Sequence, residues 1–96
     1  MKAKTTLFDA AEYLDSPEMI VAYIDAALET GDAAFIATAL GDVAKAKGMT
    51  QIAKEAGVTR DSLYKSLKEG GNPTLATVLG VMKSLGLNLT VQKPAA

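Results

Sequence analysis

Residues 50–67 read TQIAKEAGVTRDSLYKSL, and this stretch decides the fold. It predicts a short helix from about Thr50 to Ala56, a turn at Gly57, and a second helix capped by Thr59 that reaches Leu67 or Lys68. Ile52 and Ala53 are the inward residues of the first helix, and alanine lets the second pass close by. A glycine at position 57 supplies the positive φ that a tight turn between crossing helices needs. Val58, Leu63 and Leu67 anchor the second helix, with Leu63 and Leu67 one helical turn apart on the same face. Two helices this short cannot bury a core alone, but together they can present one of them to the major groove of DNA.

The flanking sequence supplies the rest of an all-α domain. Ser16-Pro17-Glu18 is a helix start, with serine as N-cap and proline in the first turn. Ile20, Tyr23, Ile24, Ala27 and Leu28 then recur at helical spacing up to Gly31. Asp32 caps a further helix whose apolar stripe is Phe35, Ile36, Ala39, Leu40, Val43 and Ala44, ending at Gly48. Gly70-Gly71-Asn72-Pro73 breaks the chain. Thr74 opens a last helix with Leu75, Val78, Leu79 and Met82 on one face, ending at Gly86. Leu87, Leu89 and Val91 alternate with Asn88, Thr90 and Gln92, the pattern of a short C-terminal β-strand. The expectation is one domain over residues 16–92, preceded by an arm (1–15) and followed by a tail (93–96). A lone strand leaves its edges unmet, so pairing with a second copy and a two-fold homodimer follow as expectations.

Composition narrows the function. The 96 residues contain neither cysteine nor histidine, which removes the usual metal sites and the usual general base. No glycine-rich phosphate loop stands out, so an enzyme is not expected, nor are cofactors or metals. The acidic start lacks the apolar run of a signal peptide, and no stretch is apolar enough to span a bilayer. A cytoplasmic location follows by default. The net charge of −1 hides an asymmetry. Residues 1–42 hold two basic and eight acidic side chains, a net −6, whereas residues 43–96 hold eight basic and three acidic, a net +5. The basic half contains the two-helix unit and suits a polyanion. The acidic half would repel DNA and suits a basic partner.

Within the unit, the candidate DNA-binding residues are Thr50, Gln51, Thr59, Arg60, Asp61, Ser62, Tyr64 and Lys65. Thr59 caps the helix, and a phosphate can meet its N-terminus. Arg60 is the candidate base reader, because its planar fork can bridge the two acceptors of a guanine. Ser62 is a small donor for a base edge or phosphate. Tyr64 and Lys65 lie one turn on, near backbone or a thymine methyl. Asp61 can cap the first turn, orient Arg60, or accept from a cytosine amino group. Lys45, Lys47, Lys54 and Lys68 form a diffuse electrostatic rim. Each also has a plain structural role: Arg60 as a solvated surface residue, Tyr64 packed on the domain edge, Ser62 and Asp61 as helix-capping groups only.

Several segments resemble a known family. They are GMTQIAKEAGVTRDSLYKSL at Gly48–Leu67, GNP at Gly71–Pro73 and TVLGVMKSLGLNL at Thr77–Leu89, with a YLDSPE entry at Tyr13–Glu18 and an ALETGD turn at Ala27–Asp32. Together they resemble Cro/repressor-type helix-turn-helix proteins, and more narrowly the addiction module antidote proteins, which are antitoxins of toxin–antitoxin pairs. The resemblance covers about Leu7 to Leu89. It implies a five-helix Cro/repressor-like domain, binding of double-stranded operator DNA by the second helix of the motif, and repression of the chain's own operon. It also implies a small basic toxin that the chain neutralises by direct binding. The sequence departs from the broader repressor pattern in two places. Gln51 stands two residues before Ala53 rather than four, and Ser66 occupies a position where an apolar residue is common. A stand-alone phage-type repressor without a toxin is the alternative, and a protein-interaction module without DNA binding is a third reading.

Overall fold

The computed structural model describes residues 16–68 and 70–93, and these contain five α-helices: α1 (Pro17–Glu29), α2 (Ala33–Lys47), α3 (Met49–Ala56), α4 (Arg60–Leu67) and α5 (Leu75–Ser84). The arm expected over residues 1–15 lies outside the described residues. Each start has a local cause. Ser16 Oγ accepts from the Met19 amide, Asp32 Oδ1 from Ala34 and Phe35, Thr59 Oγ1 from Ser62, and Thr74 Oγ1 from Thr77. These side chains satisfy donors that a first helical turn otherwise leaves without partners. Only α3 lacks a side-chain cap, since Gly48 precedes it.

Helix α2 is the centre of the packing. It touches α1, α3, α4 and α5, while α3 packs most extensively on α5. The core joins Ile20 and Ile24 of α1, Leu40, Val43 and Ala44 of α2, Met49, Ile52 and Ala53 of α3, Leu63 and Leu67 of α4, and Val81 and Met82 of α5. Fully burying side chains of this kind contributes roughly 1.5–3 kcal/mol each. A glycine sets the α3–α5 distance. A Cβ at Gly80 would lie 3.1 Å from Ala56 Cβ and O, tighter than ordinary contact. The α1–α2 pair carries a polar tie: the Tyr23 hydroxyl donates to Asp42 Oδ2 at 2.5 Å. Burial pushes the Tyr23 phenol well above its usual range, and the hydrogen bond to Asp42 and its charge act in the same direction.

Four expectations are corrected. Residues 87–93 form no strand. The Leu87 amide closes the end of α5 by donating to Met82 O, and no other described segment pairs with the alternating run that follows. A strand needs a ladder, and a single chain offers none there. The strand on which the expected homodimer rested is therefore not formed. Phe35, placed on the buried stripe of α2, is 54% exposed, because it sits in the first turn, outside the core cluster. Ala37 is buried instead. Leu75 and Leu79 are likewise exposed, at 66% and 45%, while Val81 and Met82 face inward. The apolar spacing of α5 permitted either face, and the close approach at Gly80 selects the one that carries Val81. Helix α3 also begins one residue earlier than expected, at Met49.

Candidate nucleic-acid interface

Helices α3 and α4 are joined through Gly57, whose φ of 79° and ψ of 25° are left-handed. The Val58 amide donates to Ala53 O and the Gly57 amide to Lys54 O, which ends α3 sharply. Thr59 then turns the chain with extended backbone and caps α4. Leu63 is 0% exposed and Leu67 2%, so α4 is pinned along one side. Val58 is half-buried beside the core. The opposite side of α4 is open: Arg60, Asp61, Ser62, Tyr64 and Lys65 are all exposed, as are Thr59, Thr50 and Gln51. All eight candidate residues thus lie at the surface of the two-helix unit.

Their local partners differ from one another. Asp61 Oδ2 pairs with Lys65 Nζ at 3.2 Å, one turn on, so its carboxylate serves Lys65 rather than orienting Arg60. An exposed pair of this kind contributes little stability. Gln51 Nε2 donates to Glu55 Oε2 at 2.7 Å, also one turn on. Ser66, the residue that departs from the apolar pattern, donates its hydroxyl to Leu63 O, so it is accommodated without changing which face of α4 is buried. Arg60 has no ion-pair partner among the described residues.

The structure adds a feature that sequence spacing did not show. Tyr64 lines an open groove of about 370 Å³ between α2 and α4, together with Thr38, Asp42, Lys45 and Lys68. Two lysines distant in sequence thereby flank one aromatic ring beside α4. Only the packing of α2 on α4 brings them together. Among the described residues no group of histidine, cysteine, aspartate or glutamate side chains is placed to hold a metal ion. No helix among them is long and apolar enough to cross a membrane.

Residues 4–93 match the family described as "probable addiction module antidote protein". The chain belongs to that family. A relative, an uncharacterised protein of Haemophilus influenzae (strain ATCC 51907 / DSM 11121 / KW20 / Rd), is 49% identical over 86 residues, covering 90% of this chain and 89% of that protein. No solved structure matches the chain. The match extends through the acidic half as well as the two-helix unit, so the family relation concerns nearly the whole chain rather than the two-helix unit alone.

Proposed function

We propose that this antidote-family protein is an antitoxin that binds operator DNA through α3 and α4, acting as a Cro/repressor-type helix-turn-helix, and neutralises a cognate toxin by direct contact. The observation that carries the DNA half is the two-sidedness of α4. Leu63 and Leu67 are buried while Thr59–Ser62, Tyr64 and Lys65 stand open on a capped helix. Arg60 reads a base edge, with Ser62 beside it. The uncapped start of α3, with Thr50 and Gln51, and the Lys45–Tyr64–Lys68 groove meet the phosphate backbone, which positions the helix without reading sequence. One α4 covers one half-site, so two copies are needed on a palindromic operator.

Family membership carries the antitoxin half. A stand-alone repressor would need no partner, and the protein is read as a binding module rather than an enzyme. Two measurements test the proposal. Retention of the chain on its own promoter DNA should fall steeply as salt rises, because phosphate neutralisation releases counterions. Affinity purification from the source cell should bring down a small basic protein whose toxicity the chain relieves. Salt-independent or absent retention removes the DNA half. A chain that purifies alone and relieves nothing leaves the stand-alone repressor.

A further inference from the structure

Helix α1 contains no basic residue, and its exposed positions are acidic or apolar: Pro17, Glu18, Met19, Val21, Ala22, Asp25, Ala26 and Glu29. Beside it runs the segment 87–93. Between the two lies an open groove of about 1070 Å³. Ile24, Leu28, Met82 and Leu87 contribute apolar surface to it, and Val21, Leu89 and Val91 stand exposed around it. Asp25 and Glu29 supply carboxylates on the α1 side, and Lys93 is the only basic lining residue among the described residues. Val91 is 98% exposed, and Val21 46%, so this surface lacks a cover within the described chain.

We infer that this groove docks a cationic amphipathic segment of a partner protein, with apolar side chains set against Val21, Leu28 and Leu89 and lysine or arginine against Asp25 and Glu29. The inference rests on the antitoxin reading and assigns its protein-binding surface. Charge complementarity selects the occupant. Nucleic acid would meet two carboxylates here. A second copy of α1 would bring the same acids face to face, and like charges in contact are costly. A basic segment gains both from ion pairing and from covering the apolar surface. The site is also separate from the DNA-facing helix: α1 packs on α2, and α4 packs on the α2–α3 side. One chain can therefore hold both partners.

The test uses the full chain and a synthetic peptide of leucine and lysine arranged for one apolar helical face. Backbone amide shifts are followed by NMR during titration. The expected shifts fall on residues 21–29 and 87–93. The double variant Asp25→Lys/Glu29→Lys should weaken binding about ten-fold or more. Val21→Ser/Leu89→Ser should weaken it as well. All four positions are exposed, so these variants keep the core. A lysine–glycine peptide of equal charge should leave the amides of both segments unmoved. Shifts confined to α4, or binding indifferent to both variants, overturn the inference. So does a dimer by light scattering whose residues 88–92 are protected from hydrogen exchange, since a second copy then fills the groove. If the Asp25→Lys/Glu29→Lys chain still purifies with a small basic protein as the parent does, this assignment alone falls and the antitoxin reading stands.

Discussion

At the scale of single residues, Arg60 and Leu63 divide the work of α4. Arg60 is exposed and has no ion-pair partner among the described residues, so Arg60→Ala should leave thermal unfolding unchanged. It should weaken discrimination at one operator base pair by about 1–3 kcal/mol. Footprinting on single-base operator variants checks this, and an unaltered footprint would remove Arg60 from the interface. Leu63 is fully buried, and Leu63→Ala should cost about 2–5 kcal/mol, a large part of what a domain this small possesses. Denaturant unfolding measures that loss. A variant as stable as the parent would mean that α4 is seated differently. The exposure of Arg60 and the burial of Leu63 were both legible in the sequence, because a polar–apolar period within one short helix fixes which residues oppose each other. The partners of the polar residues were less legible. Asp61 had three expected roles, and its ion pair with Lys65, one helical turn on, was not among them.

Elements were bounded by capping chemistry, and this is where prediction from sequence was most secure. Ser16, Asp32, Thr59 and Thr74 each accept the backbone donor that a helix start leaves free, and each was recognisable by residue type and by a neighbouring glycine or proline. Thr59→Ala should therefore destabilise the domain by about 1 kcal/mol and reduce DNA affinity with it, since a frayed α4 presents its reading face poorly. Calorimetry beside DNA binding tests the link, and unchanged values in both would deny the cap any role. Gly71 makes a sharper case. A Cβ there would sit 2.3 Å from Ser66 O, a backbone atom that cannot swing aside. Gly71→Ala should force the α4–α5 connection to move and lower the melting temperature, whereas a wild-type melt would show that the turn relaxes freely. The sequence marked Gly70–Pro73 as a break. It did not show that the break folds back so tightly on the end of α4.

For the whole molecule, the Tyr23–Asp42 hydrogen bond offers a pH handle on the α1–α2 contact. The phenol is held neutral in the folded state above its ordinary value of 10.0. The unfolded chain loses that proton first as pH rises past about 10, so the stability the neutral phenol contributes is intact below that pH and declines above it. Tyr23→Phe should cost roughly 0.5–1.5 kcal/mol near neutral pH. Its deficit relative to the parent should shrink as the parent alone meets this alkaline penalty. Parallel unfolding curves at neutral and alkaline pH check this, and a deficit constant across the range would show that Tyr23 titrates freely in the folded state.

Local chemistry determined the number of helices in the described chain, their starts and the buried face of α4, because a cap, a breaker and a 3.6-residue period act over a few neighbouring positions. The segregation of charge between the two halves was also fixed by sequence alone. Tertiary packing decided what local rules left degenerate. It turned α5 so that Val81 rather than Leu75 faces the core, left Phe35 outside, and set Lys45 and Lys68 around Tyr64. It also denied residues 87–92 a strand, since an alternating pattern specifies a face but only a second backbone can supply the ladder.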